Sequence, residues 1–102
     1  MLAIVDGETI VGTISLYQLT ESVLTIGPDV FMAYRRRGFA KQAMPIACEL
    51  AKVKGYRVAL RQVSVDNAAS IALHKALRFE TDGYEYANQK GNRVLIFVKP
   101  LR

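Results

Sequence analysis

The 102-residue sequence predicts a mixed α/β fold, with a mostly antiparallel sheet and the element order β-β-β-α-β-α-β-β. Three observations predict it. The first third of the chain is rich in β-branched residues and is broken by turn signals, which is typical of strands. After Tyr34 apolar residues recur at helical spacing, and a second, shorter helical segment lies beyond a further strand-like run. A helix between two strands favours a parallel crossover, so we expect the sheet to be mixed.

Three strands are predicted before the first helix. The first is Leu2 to Val5, which ends in the hairpin turn signal Asp6-Gly7, and the second is Thr9 to Leu19. The third, Val23 to Met32, is interrupted by Gly27-Pro28. Because proline has no N–H to donate to a sheet, it belongs at an edge, at a bulge or where two strands part.

The first helix is predicted after Gly38 and ends before Gly55, a residue type that favours the position just past a helix end. Its apolar residues at helical spacing, which we expect to form the buried face, are Phe39, Ala43, Ile46, Leu50 and Val53. The later elements are a strand from Arg57 to Val65, a helix that starts at Asp66-Asn67 and covers Ala68 to Leu77, and closing strands from Phe79 to Ala87 and from Arg93 to Lys99.

The composition excludes several kinds of site. A single cysteine, Cys48, excludes an internal disulfide and a cysteine-based zinc cluster, and a single histidine, His74, excludes a histidine-rich metal site. No apolar run approaches the ~18–20 residues that span a bilayer, and the N-terminus lacks the basic region of a signal peptide. We therefore expect one cytoplasmic domain over residues 1–102, without a metal and without a membrane partner.

The net charge of +5 is concentrated in one stretch of the chain. Residues 35–61 hold eight basic side chains and one acidic side chain, whereas residues 1–34 hold four acidic side chains and no basic one. This distribution favours one anionic ligand bound at one place. The aromatic residues are not interleaved with the arginines as a stacking platform, so we expect no nucleic-acid partner.

The strongest local signal is the junction between the third strand and the first helix. Arg35, Arg36, Arg37 and Gly38 stand immediately before the helix, and Lys41 lies in its first turn. A helix N-terminus offers unpaired N–H groups and a partial positive charge, and glycine lets an anion approach the backbone. The residues predict a phosphate site at this junction, and they leave open the alternative of a solvated basic cap on an ordinary helix.

The segment from Arg35 to Ala40 resembles the acetyl-CoA signature of the GNAT superfamily of N-acetyltransferases. In that signature Gln or Arg is followed, after two residues, by Gly, and one residue later by Gly or Ala. The residues similar to the second signature of the family are Asn67, Ser70, Leu73 and Phe79. The stretch from Asn67 to Lys75 looks like the branch that acetylates small amines such as phosphinothricin or amino-acid analogues, and the resemblance covers nearly the whole chain.

The resemblance implies that acetyl-CoA binds in a cleft where two parallel strands splay apart, the strand that ends at Met32 and the strand from Arg57 to Val65. In the family the pyrophosphate lies on the amides of the signature loop, and the pantetheine arm pairs with the backbone of the preceding strand. The cofactor-binding residues that this implies are Val30, Phe31, Met32, Arg35, Arg36, Arg37, Gly38, Phe39, Ala40, Lys41, Asn67 and Ser70. The basic residues expected to be solvated are Lys52, Lys54, Arg57 and Arg61.

The activity that the resemblance implies is direct attack of a primary amine, of a small molecule or a peptide, on the thioester of acetyl-CoA. The catalytic candidates are His74, which replaces the tyrosine that often serves as the acid, and Asp29, the carboxylate nearest to the position of the base. A structural histidine and a solvated or capping aspartate are the alternatives. Arg78 stands where the family usually has a glycine. The alternative function is a catalytically weak acyl-CoA-binding module of the same fold.

The sequence is short for this family, whose members usually have a strand and two helices before the hairpin with which this chain begins. It is either a natural minimal form or a fragment. We expect the lack of that layer to leave apolar surface bare and the chain to form a homodimer. Tyr84 and Tyr86 are expected on one face of the strand from Phe79 to Ala87, where they either line the acceptor site or pack.

Overall fold

The computed structural model describes residues 1–102 and contains a six-stranded mixed sheet with two helices packed on it. The elements are β1 (Leu2–Asp6), β2 (Thr9–Gln18), β3 (Val23–Val30), α1 (Phe39–Val53), β4 (Val58–Ser64), α2 (Ala68–Ala76), β5 (Tyr86–Ala87) and β6 (Arg93–Pro100), with a short 3₁₀ turn at Met32–Tyr34. The strand order across the sheet is β1-β2-β3-β4-β6-β5. The predicted fold class and element order are confirmed.

The parallel pair β3–β4 holds together over only part of its length. It runs from the pairing of Val23 with Val58 to that of Thr25 with Leu60. Strand β3 continues to pair with β2 as far as Val30, so it leaves β4 without leaving the sheet. The two strands therefore part beside Gly27-Pro28, as the resemblance implied. All the other strand pairings are antiparallel.

The predicted strand from Phe79 to Ala87 is wrong for most of its length. After a single bridge from Glu80 to Val98, the chain leaves the sheet and returns only for the two residues of β5. Side chains hold the loop between them: Asp82 Oδ1 accepts a hydrogen bond from the Tyr84 N–H at 2.9 Å. Such local bonds compete with a strand ladder for backbone groups.

The two tyrosines of this segment accordingly do not share a strand face. Tyr84 lies in the loop and is 70% exposed. The hydroxyl of Tyr86 donates a hydrogen bond to Asp82 Oδ2 at 2.6 Å, which lowers the pKa of Asp82 and raises that of Tyr86. Neither side chain lines the cleft described below.

Helix α1 packs on the sheet mainly through residues outside the predicted face, of which only Phe39 and Ala43 pack partly against the core. Its buried residues are Met44, Ala47, Cys48 and Ala51. Of the predicted face, Ile46 is 65% exposed, Leu50 is 45% exposed and Val53 is 78% exposed. The helix is apolar on two sides, and the side with the smaller residues allows the closer approach to the sheet. We call the exposed set Ile46, Leu50 and Val53 the α1 stripe.

Polar groups and one left-handed residue fix the two ends of α2. At its start, the side-chain oxygen of Asn67 accepts a hydrogen bond from the Ser70 N–H at 3.0 Å. At its end, Lys99 Nζ donates to the Leu77 carbonyl at 2.8 Å, and Arg78 has a φ of 67°. This left-handed conformation is costly for any residue with a Cβ, which gives a physical reason for a glycine at this position.

We expect Arg78→Gly to stabilise the protein. Glycine relieves roughly 1–2 kcal/mol of left-handed strain and costs roughly 0.5–1 kcal/mol of additional backbone entropy, so the net gain is about 0.5–1 kcal/mol. In thermal unfolding the melting temperature should rise by about 2–6 °C. The control is Ala72→Gly, an exposed position in the interior of α2, which should lower stability by about 1 kcal/mol. Equal losses in the two variants would contradict strain at Arg78.

Candidate functional site

A cleft of about 870 Å³ opens where β3 and β4 part. Its walls are the end of β3, the segment between β3 and α1, the first turn of α1 and the start of α2. The predicted site residues that line it are Asp29, Val30, Arg35, Arg36, Gly38, Phe39, Ala40, Lys41, Asn67 and Ser70. The predicted residues that do not line it are Phe31, Met32, Arg37 and His74.

The loop before α1 presents a row of backbone N–H groups without acceptors. Arg36 and Gly38 both have left-handed backbones, with φ of 66° and 79°, a geometry that turns successive amides toward one point. The first hydrogen bond of α1 is donated by Gln42 to the Gly38 carbonyl at 3.0 Å, and Gly38 has no side chain to cap the helix. The amides of residues 36–41 therefore have no partner in the chain and form a cradle for an anion.

The basic side chains of this loop divide into held and free ones. Arg35 Nε donates a hydrogen bond to the Val30 carbonyl at 2.9 Å, and its guanidinium lies 4.0 Å from the Asp29 carboxylate. Arg37 lies over the ring of Tyr34, 5.8 Å from its centroid. Arg36 and Lys41 form no ion pair with the protein and line the cleft. These two cations are available to a bound anion.

The exposed edge of β3 supplies a second set of unpaired backbone groups. The Phe31 N–H donates to the Val11 carbonyl on β2 at 2.8 Å. Because backbone groups alternate in direction along a strand, Pro28 and Val30 turn theirs to the opposite edge, which borders the cleft. Proline has no N–H, so the parting of the strands leaves no unsatisfied donor at position 28. The edge offers the N–H of Val30 and the carbonyl of Pro28.

His74 lies beneath the cleft wall and not in the cleft. Its side chain is fully buried, with its ring 5.1 Å from that of Phe79 and 5.6 Å from that of Phe97. Its Nδ1 lies 2.8 Å from the Ser70 carbonyl, to which it donates in the neutral tautomer, and 3.3 Å from the Ser70 hydroxyl. Its Nε2 is buried without a partner. Ser70 is therefore the only contact between the histidine and the cleft that these bonds provide.

Burial keeps this histidine neutral. Loss of solvation lowers the pKa of His74 below its ordinary value near 6.5, against the hydrogen bond to Ser70, which raises it. The positive charge of Arg61 lowers the pKa further. Protonation would place a positive charge in this desolvated position, which costs free energy.

Asp29, the other catalytic candidate, lies at the rim of the cleft. Its side chain is 70% exposed, and Arg35 is its only ionic partner. It is also the only carboxylate in the lining of the cleft.

Arg61 is the site residue that sequence reasoning missed. It is half-buried in the lining of the cleft, whereas the sequence analysis expected it to be solvated. The signal was the alternation of β4: Ala59 and Val63 are buried, and Arg61 lies between them on the same side of the strand. Tyr34 and Leu73 also line the cleft.

The sequence matches the model of a family described as the acetyltransferase (GNAT) family over residues 1–79. The chain belongs to this family. No curated protein matches the sequence. Neither α1 nor α2 is long and apolar enough to cross a membrane. The chain has no group of three or more His, Cys, Asp or Glu side chains that could hold a metal ion.

Solved structures share the GNAT fold at low sequence identity. A protein from Streptococcus mutans aligns with a TM-score of 0.83 and 23% identity, over 98% of this chain and 68% of its own. The protein yncA from Salmonella typhimurium was solved with its cofactor acetyl-CoA. It aligns with a TM-score of 0.82 and 17% identity, over 95% of this chain and 61% of its own. The ribosomal-protein-alanine N-acetyltransferase from Brucella melitensis aligns with a TM-score of 0.81 and 22% identity, over 97% of this chain and 67% of its own. The chain thus spans about two thirds of the length of these structures.

Acetyl-CoA is the acetyl donor of the GNAT family, and the donors of the cleft fit it. Coenzyme A carries a pyrophosphate and a 3′-phosphate, which match the free amides of residues 36–41 together with Arg36 and Lys41. The amide groups of its pantetheine arm match the Val30 N–H and the Pro28 carbonyl on the edge of β3.

The neutral, buried state of His74 makes stability depend on pH. Its pKa is lowered by folding, so the unfolded chain binds more protons below about pH 6.5. The free energy of unfolding should be at its maximum above that pH. As the pH is lowered further, it should decrease by at most about 1.4 kcal/mol per pH unit. Urea unfolding between about pH 7.5 and 5 measures this slope before the carboxylates titrate.

His74→Leu should remove that slope, because the chain has no other histidine. The leucine also removes the buried Nε2 that lacks a partner. The same slope in the variant and in the wild type would mean that a different group titrates in this range.

Proposed function

We propose that the chain is an N-acetyltransferase that transfers the acetyl group of acetyl-CoA to a primary amine of a small molecule or a peptide. The observation that carries the proposal is the row of unpaired amides at residues 36–41, at the mouth of a cleft bordered by a free strand edge, in a chain of the GNAT family. A solvated basic cap would not need the left-handed pair Arg36 and Gly38 that turns these amides together.

In this proposal the loop before α1 holds the charged phosphates of acetyl-CoA, and the edge of β3 holds its polar pantetheine arm. The amides of residues 36–41, with Arg36 and Lys41, bind the phosphates, and Val30 and Pro28 orient the pantetheine arm along the strand. Acetyl-CoA supplies a thioester, whose carbonyl carbon is attacked by the amine while the C–S bond breaks and the thiol leaves. Fixing the two reactants side by side removes a large entropic part of the barrier.

The amine must lose a proton before it attacks, because an ammonium ion with an ordinary pKa near ~10.4 has no free electron pair. The residues that line the cleft include three with groups suited to proton transfer, the Asp29 carboxylate and the hydroxyls of Tyr34 and Ser70. His74 takes part only through Ser70, which lies 3.3 Å from its Nδ1. In the proposed mechanism Asp29 or water accepts the proton, and positioning supplies most of the rate.

The proposal is tested by acetyl-CoA binding and by thiol release with a panel of primary amines. We expect the wild type to bind acetyl-CoA and release thiol with at least one amine. Gly38→Trp should weaken binding by about 100-fold or more, because the side chain covers amides that each form a charge-assisted hydrogen bond. Gly91→Trp is the matched control, since Gly91 has the same φ of 79° and does not line the cleft.

The outcomes separate the candidate functions. Binding without thiol release for any amine would favour an acyl-CoA-binding module of the same fold. Unchanged affinity in Gly38→Trp would mean that the loop is not the phosphate site.

We also propose that the chain forms a homodimer through the α1 stripe. Ile46 and Leu50 border an apolar groove of about 360 Å³ between α1 and the edge strand β1, where Val5 is 55% exposed. Large apolar side chains grouped beside an unpaired strand edge favour association.

Sedimentation should therefore give twice the chain mass of 11.3 kDa. Ile46→Glu should shift the equilibrium to monomer, whereas Lys52→Glu, an exposed change on another side of the same helix, should not. A wild type that sediments only as an 11.3 kDa species would contradict the dimer.

A further inference from the structure

We propose that the buried His74 is a positioning residue for acetyl-CoA, because the proton on its Nδ1 leaves the Ser70 hydroxyl to donate to the bound cofactor. The inference rests on the proposed function, since it needs acetyl-CoA in the cleft. It gives the histidine a role that requires neither contact with the ligand nor transfer of a proton.

The contacts of the His74 ring determine which nitrogen carries its proton. Nδ1 lies 2.8 Å from the Ser70 carbonyl oxygen, which can only accept a hydrogen bond. Nδ1 is therefore the donor, and in the neutral ring Nε2 remains a bare acceptor. Nε2 is buried without a partner. Because a buried N–H without an acceptor is rare in proteins, this atom also favours the proton on Nδ1.

The protonated Nδ1 limits what the Ser70 hydroxyl can do. The hydroxyl oxygen lies 3.3 Å from Nδ1 and can accept from it, but it cannot donate to a nitrogen that already carries a proton. The hydroxyl has no other hydrogen-bond partner in the chain. Its own proton therefore lacks an acceptor within the protein. Ser70 lines the cleft, so a molecule bound there can supply the acceptor.

Asn67, the residue that caps α2, leaves a second donor free in the same turn. Its Oδ1 accepts a hydrogen bond from the Ser70 N–H at 3.0 Å, whereas its side-chain amide N–H groups have no partner in the chain. Asn67 also lines the cleft. The turn thus offers two unused donors, a hydroxyl and an amide. The phosphate, amide and thioester oxygens of acetyl-CoA are all acceptors, so the cofactor matches these donors.

The histidine is held in place by packing and reaches the cleft only through Ser70. Its ring lies 5.1 Å from that of Phe79 and 5.6 Å from that of Phe97, and its side chain has no exposed surface. Without an N–H beside it, a serine in a helix commonly donates back to a carbonyl of the preceding turn. We therefore expect loss of the Nδ1–H to turn the hydroxyl proton away from the ligand.

Nitrogen-15 NMR tests the tautomer directly. His74 is the only histidine of the chain, so labelling of histidine rings gives the signals of a single imidazole. We expect a protonated Nδ1 and a bare Nε2 near neutral pH, both before and after acetyl-CoA is added. A proton on Nε2 in the wild type would overturn the proposal, whatever the affinity for the cofactor.

Calorimetric binding of acetyl-CoA tests the consequence in a double-mutant cycle. Ser70→Ala and His74→Leu should each raise the dissociation constant by about 3- to 10-fold, the range of one neutral hydrogen bond. The double variant should bind like Ser70→Ala alone, because the histidine has no effect once the hydroxyl is gone. His74→Asn should recover most of the affinity, since its amide N–H stands as many bonds from Cβ as Nδ1–H does. Leu77→Val, a buried change outside the cleft, is the control and should leave the constant unchanged.

The cycle separates positioning from a purely structural role. Losses that add up in the double variant, or an unchanged constant in either single variant, would overturn the proposal. His74→Met replaces the leucine variant in the cycle if that variant does not fold. A cycle that follows the expectation without thiol release for any amine would contradict the transferase and support the positioning role, whereas thiol release with additive losses would contradict the positioning role alone. A wild type that does not bind acetyl-CoA would overturn both.

Discussion

The parting of β3 and β4 is the constraint on which the rest of the site depends. A sheet that stops pairing leaves backbone groups without partners, and each of these must be satisfied or removed. The chain does both: Pro28 has no N–H to leave unpaired, and the side chain of Arg35 donates to the Val30 carbonyl. Gly27 adds room for Arg61 beside the gap. What remains is a narrow cleft with a short, defined set of free donors and acceptors.

Left-handed backbone occurs before α1, at Gly38, and after α2, at Arg78, with different consequences. At Gly38 the space in front of the backbone is open, and a side chain would stand where an anion approaches the amides of α1. Arg78, which follows α2, is exposed and does not line the cleft, so only local strain opposes a side chain there. Left-handed backbone thus carries a side chain at Arg36 and Arg78, whereas at Gly38 the backbone conformation and the approach of an anion both favour glycine.

Local signals made the helices predictable, whereas packing decided the rest. The switch to helical spacing, Gly38 and Asn67 fixed where α1 and α2 begin, because capping depends on neighbouring residues alone. The face of α1 was predicted only in part, because the helix is apolar on two sides and contact with the sheet buries the residues around Ala47 in place of Ile46, Leu50 and Val53. The loop at Asp82 escaped prediction because side-chain bonds there replaced the strand ladder. The inward position of Arg61 became visible only with the register of β4.

The charges of the cleft act as one arrangement under the proposed function. Arg36, Lys41 and Arg61 line the cleft, and the single carboxylate of the lining, Asp29, pairs with Arg35. The cleft therefore favours the anionic groups of a ligand, while the reaction itself needs an uncharged thioester and an amine that is neutral when it attacks. The pKa of the buried His74 is lowered, so this residue adds no positive charge near neutral pH. Because cations at fixed positions disfavour a protonated amine, the protein does not need a strong base inside the cleft: it lowers the cost of deprotonation and lets water or Asp29 take the proton.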